Sequence, residues 1–161
     1  MRKIFTVLAS WTVLMAACAS FTSCGDDDDD DSPKKENNSD KTVSVNEKTL
    51  DSASSVCKDL GDVFRNGNDK VFTYMGSLMS VDFKDGKAVS LTHYVASINE
   101  AYAKLACQEL QKELDKFDSA YVVGKYVAVV STDPEDLKPY EGKSIVEVEN
   151  LFKNFAYNGE D

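Results

Sequence analysis

Groups that do chemistry are scarce in this 161-residue chain: His93 is its single histidine, and its one tryptophan, Trp11, lies near the start. A lone histidine with no cysteine or carboxylate beside it at ligand spacing is a poor metal signal. Nucleophilic catalysis needs a nucleophile, a base and an orienting group. Only a cysteine, His93 and some carboxylate could compose that set. There is no glycine-rich phosphate cradle and no serine elbow. The sequence therefore singles out no catalytic residue, no metal ligand and no cofactor site. Cations are also in deficit, with 18 Lys and Arg against 28 Asp and Glu. Phosphate binding needs clustered cations, so nucleic acid is a poor partner. No apolar run reaches the roughly 20 residues of a membrane span.

What is present is concentrated at the start. Arg2 and Lys3 precede an apolar run from Ile4 to Ala17, small residues follow, and then come Phe21-Thr22-Ser23-Cys24, Gly25 and the aspartates Asp26 to Asp31. Positive, apolar and small-residue regions in that order make a secretory signal. Phe21-Thr22-Ser23-Cys24 resembles the lipobox of bacterial lipoproteins. Met15-Ala16-Ala17-Cys18 fits too, but Cys24 leaves Ile4 to Ala17 as the apolar core and puts the acidic run directly after the modified residue. Cysteine, glycine and an aspartate block are similar to the surface-export signal of Bacteroidota lipoproteins. The resemblance covers only the first 31 residues. It implies removal of residues 1–23, acylation of Cys24, and outer-membrane attachment facing outward, with the membrane as partner through the lipid. One acyl chain holds marginally, at about 0.8 kcal/mol per buried CH₂, and two or more hold stably.

Residues 24–42 read as an acidic tether. Ser32 to Thr42 has no large apolar residue and cannot order itself by burial. Its reach is at least about 25 Å. Residues 43–161 make one domain, long enough to build a core without staples. From Val43 onward there are 13 basic and 20 acidic residues, which disfavours docking on an anionic bilayer. Cys57 and Cys107 remain after the leader and anchor are set aside. They form either a disulfide or two small buried hydrophobes. A bridge would close a loop of about 50 residues and stabilise by roughly 4 kcal/mol.

Hydrophobic period then gives an α+β order of α-β-β-α-β-α, a small antiparallel sheet packed with helices. A helix is expected from about Glu47 to Asn66, with Leu50, Ala53, Cys57, Leu60 and Phe64 on one stripe and Gly67 as its stop. Val71 to Val95 reads as a hairpin, although Val71 to Met79 also fits a helical period. Met79, Val81, Phe83, Val89 and Leu91 share one face by parity, and a three-residue loop Lys84-Asp85-Gly86 pairs Val81 with Val89, Met79 with Leu91 and Ser77 with His93. His93 then points inward, as a hydrogen-bonded core residue. Ser97 and Glu100 form a capping box opening a helix to about Phe117, with Ile98, Tyr102, Ala106, Leu110 and Leu114 in its buried row. Tyr121 to Val130 is a strand apolar on both faces, which Gly124 either bulges or splits into a hairpin. Asp133, Glu135 and Asp136 either clasp a cation or lie in a solvated, proline-bearing turn. Ser144 and Glu147 cap a last helix ending at Asn158-Gly159.

Tyr74, Tyr94, Tyr121, Tyr126, Tyr140 and Tyr157 are numerous, and serve either a recognition surface or ordinary core packing. The function expected is a lipid-anchored, non-catalytic binding or accessory module for a protein or glycan partner. A periplasm-facing inhibitor and a small hydrolase built on His93 stay open.

Overall fold

The chain divides into two units, Met1–Asp40 and Lys41–Asp161. The computed structural model describes residues 45–155, all in the second unit. The leader, Cys24, the aspartates and the tether lie outside the described residues, as do Tyr157 and the end of the last helix.

The described chain is a six-stranded antiparallel sheet with helices on both faces. In chain order it runs α1 (Glu47–Val56), β1 (Val63–Asn66), β2 (Lys70–Tyr74), β3 (Leu78–Lys84), β4 (Lys87–Ala96), α2 (Glu100–Gln111), β5 (Asp118–Val123), β6 (Tyr126–Ser131), α3 (Pro134–Leu137), a 3-10 turn (Lys138–Tyr140) and α4 (Ile145–Phe155). Spatial strand order is β1-β2-β3-β4-β6-β5. The α+β class expected from the sequence holds; the element order holds only in part.

The first helix is half the expected length. Asn46 caps it, accepting the Thr49 N–H at 2.9 Å, and Leu50 and Ala53 are its buried row. It stops at Val56 because the Asp62 carboxylate accepts the N–H groups of Lys58 and Asp59, at 3.0 and 2.9 Å, and Gly61 turns the chain at φ +93°. The helical stripe read through Leu60 and Phe64 was a coincidence of spacing. Leu60 is 52 % exposed, and Phe64 sits in β1 with its ring 6.0 Å from that of Phe72.

Val71 to Met79 is neither one strand nor a helix. β2 and β3 are separate strands joined through Gly76, at φ +83°. The β3–β4 loop has two residues, not three. Asp85 and Gly86 both take positive φ, 53° and 75°, the type I′ pattern that matches strand twist. A two-residue loop sets Phe83 opposite Ala88, odd against even. A register shift between Asp82 and Phe83 restores parity, so Val81 faces Leu91 and Met79 faces His93. The odd row is inward as expected except at Val89, which the bulge leaves unpaired while Ala88 faces Phe83. The shorter loop and the bulge together move the partners of Val81 and Met79 two residues along from those expected.

Two buried groups sandwich the sheet. Val71, Met79, Val81, Phe83 and Leu91 pack under Tyr140, Val148 and Phe152, on what we call the α4 face. Phe72, Leu78, Tyr94, Tyr126 and Ala128 pack against Val45, Leu50, Ala53 and Cys57 on the α1 face. The α4 cap is the expected one: the Ser144 N–H donates to Glu147 Oε2 at 2.7 Å, and the Glu147 N–H to Ser144 Oγ at 3.3 Å. The α2 cap is not. Asn99 Oδ1 accepts the Tyr102 N–H at 3.0 Å, while the Ser97 N–H is spent on the Lys125 carbonyl at 2.8 Å. Ile98, outside the helix, is 78 % exposed rather than buried. The helix ends at Gln111, six residues early, with Ala103, Ala106, Cys107 and Leu110 inward. Tyr121 to Val130 is split in two, Val123 pairing with Tyr126 across Gly124 and Lys125.

Candidate functional site

The residues singled out by sequence do not converge. His93 lies on the α4 face beside Met79 and Val129, and is 2 % exposed. Its Nδ1 stands 3.3 Å from Ser77 Oγ, so the hydroxyl reaches it diagonally although the two are not register partners. Burial pushes its pKa down to about 4, against the pull of the Asp136 carboxylate. At neutral pH the ring is uncharged.

Cys57 and Cys107 are free thiols, both buried, so the bridged alternative is not the one adopted. Cys57 belongs to the α1-face group and Cys107 to neither of the two buried groups. Cys57 closes α1 and packs with Phe72 and Tyr94. Cys107 is on α2, which lies along β5 and β6. Strand alternation puts the buried Ala120, Val127 and Val129 of those strands on the α4 face, with the sheet between the two sulfurs. Burial, and then Asp62, raises the Cys57 thiol to about 11, and burial raises that of Cys107. Neither is poised as a nucleophile.

The carboxylates of the proline-bearing turn are also dispersed. Asp133 caps α3 by accepting the Glu135 N–H at 3.0 Å, and Asp136 accepts from Ser131 Oγ at 2.8 Å. Among the described residues no three metal-ligating side chains come together. Beside this turn is a shallow recess of about 250 Å³, lined by Ala88, Thr132, Pro134, Leu137, Lys138 and Glu141. It is smaller than the usual ligand cleft. The tyrosines are mostly structural: Tyr94, Tyr126 and Tyr140 are buried, and Tyr121, at 40 %, is the one strongly exposed among the described residues.

Sequence reasoning missed the most organised polar group in the domain. On the α1 face, Lys70 and Asp82 sit opposite each other on β2 and β3, with Nζ 2.8 Å from Oδ1. They are 5 % and 6 % exposed. Asp82 also accepts from Ser80 Oγ at 2.8 Å, and from Ser90 Oγ and Thr92 Oγ1 at 2.9 Å each. Four donors saturate the carboxylate, as a buried charge requires. Ser80 lies 3.3 Å from the Tyr94 hydroxyl. Burial raises the Tyr121 pKa, as does the Asp82 charge, while a hydrogen bond to Tyr94 lowers it. The signal was legible in principle: Lys70, Ser80, Asp82, Ser90 and Thr92 are all even-numbered, a polar row on strands whose odd row is apolar. A cluster so fully internally bonded fixes register and offers a substrate nothing.

A second polar contact docks α1. Lys125 Nζ lies 2.8 Å from Asp51 Oδ1, and the Tyr126 hydroxyl donates to the same oxygen at 2.7 Å. These hold the Asp51 carboxyl below its usual range, Lys125 contributing most. The Lys125 N–H donates to Glu47 Oε1 at 3.2 Å. Helix α1 is thus clamped at its start to the β5–β6 turn.

Comparison with protein-family profiles, curated proteins and solved structures finds no match for this chain.

Proposed function

We propose that the chain is a lipid-anchored extracytoplasmic lipoprotein of the outer membrane, carrying a non-catalytic binding or accessory domain for a protein or glycan partner at the cell surface. One observation carries this reading: Cys24 stands between an apolar leader and six consecutive aspartates. Acyl chains on that sulfur would supply the attachment. Among the described residues no helix is long and apolar enough to cross a membrane, which is compatible with a lipid anchor. The domain supports a binding role more than a hydrolytic one. Its one imidazole is packed inside the sheet layers, and its thiols are buried with raised pKa values.

Metabolic labelling with a fatty acid tests the anchor. Label should enter the intact chain, persist in Cys18→Ala and vanish in Cys24→Ala. No label in the intact chain, or undiminished label in Cys24→Ala, refutes it. Protease shaving of intact cells should release the domain; protection would turn it toward the periplasm.

A further inference from the structure

We infer that Asn66 is a site of spontaneous modification, at which the chain converts its own asparagine to isoaspartate and aspartate with water as the only co-reactant. The chemistry needs a peptide nitrogen that can reach the preceding side-chain amide carbon. Glycine permits this best, because it has no Cβ in the way and samples the widest backbone range. Asn66 ends β1 and Gly67 opens a three-residue connection to β2. Gly67 is exposed, at φ +62°, and open space surrounds the position its Cβ would occupy. Among the described residues, no hydrogen bond engages the Asn66 carboxamide or the Gly67 N–H.

The other described asparagines each lack one of these conditions. Asn46 and Asn99 are helix caps whose side-chain oxygens accept backbone N–H groups. Asn68 accepts from Arg65 Nη2 at 2.9 Å and precedes Asp69, whose side chain crowds the nitrogen. Asn150 and Asn154 lie inside α4, where the nitrogen that would attack is held in the helix.

The steps balance as follows. Solvent base removes the Gly67 N–H proton, and the nitrogen bonds to Cγ of Asn66. The Cγ–Nδ2 bond breaks, a solvent proton is returned, and ammonia leaves a five-membered imide. Water then opens the imide at either carbonyl. One opening leaves aspartate; the other leaves isoaspartate, which carries the main chain through the former side chain and lengthens it by one carbon. Nothing is oxidised or reduced. The consequence is local, since Asn66 is the register partner of Lys70, whose ammonium is the buried partner of Asp82. An added main-chain carbon is incompatible with that pairing across a three-residue connection.

The test is peptide mapping of the full chain held at mildly alkaline pH, native and in urea. The Asn66 peptide should gain one mass unit and split into two chromatographic species. The native rate should lie within about tenfold of the urea rate, because Asn66, though half-buried, ends an edge strand, and such an end needs little opening free energy. Hydrogen exchange in the modified fraction should show lost protection across β1. In Asn66→Gln, whose longer side chain disfavours the ring, that peptide should stay unchanged. Conversion in urea with none in the native chain, or conversion in neither, overturns the inference. The sequence repeats Asn-Gly at Asn158-Gly159, which serves as an internal reference in the same digest.

Discussion

At Gly124 a single methyl group would strike the Glu47 carboxyl, the group that accepts the Lys125 N–H and seats α1. Gly124 also has φ +55°, which costs any residue with a Cβ. Gly124→Ala should therefore destabilise by about 1–3 kcal/mol, strain and lost seating combined. Gly86→Ala, with open space around it, should lose only the conformational part, about 1–2 kcal/mol. Urea denaturation of the pair separates the two effects. His93 makes a different prediction. Its pKa falls from 6.5 to about 4 on folding, so between those values the unfolded chain binds a proton that the native one refuses. Stability is undiminished above pH 6.5 and falls as pH drops toward 4, by about 3 kcal/mol for this group. In His93→Gln, denaturation midpoints should vary less with pH across that window. An unchanged slope would move the acid sensitivity elsewhere.

Helix ends are where local pattern and structure part company. The Ser144–Glu147 box is real, whereas the Ser97–Glu100 pattern of the same form is not. Ser97 is tied to the Lys125 carbonyl, so the chain enters α2 two residues later, at Asn99. Its hydroxyl is buried without a partner. Asn99→Ala and Asn46→Ala should each cost about 1 kcal/mol as lost caps. Ser97→Ala should not destabilise, and removing a buried hydroxyl without a partner should stabilise by about 1 kcal/mol. Thermal melts of the three variants decide which residue caps α2, since a large loss in Ser97→Ala would restore the sequence pattern. The β3–β4 turn teaches the same lesson. Asp85-Gly86 is the strong two-residue signal, and the bulge beside it, which no parity argument supplies, makes that turn compatible with an odd apolar face.

Across the whole sheet, the buried Lys70–Asp82 pair ties β2 to β3 and, through Ser90 and Thr92, to β4. Removing one partner leaves a charge stranded in the interior. Lys70→Met should cost about 3–5 kcal/mol. Adding Asp82→Asn, which removes the orphan charge but keeps an acceptor for the hydroxyls, should recover the larger part. A double variant no more stable than the single one, in chemical denaturation, would show that the charge is not what matters there. Among the described residues no disulfide joins the two faces, since Cys57 and Cys107 are free.

The residues alone determined what depends on neighbours in the chain: the mixed α+β class, the inward odd row of β3 and β4 except at the bulge, the burial of His93 and the α4 cap. These follow from period, parity and short-range hydrogen bonding, which are local. Tertiary structure decided where α1 stops, that Phe64 belongs to an edge strand, that one predicted strand is two, and that Cys57 and Cys107 sit on opposite sides of the sheet. It also gathered Lys70, Ser80, Asp82, Ser90 and Thr92 from three strands into one buried cluster. Those outcomes depend on which surface covers which, and a polar residue between two apolar ones reads as solvent-facing until a second layer is known to lie over it.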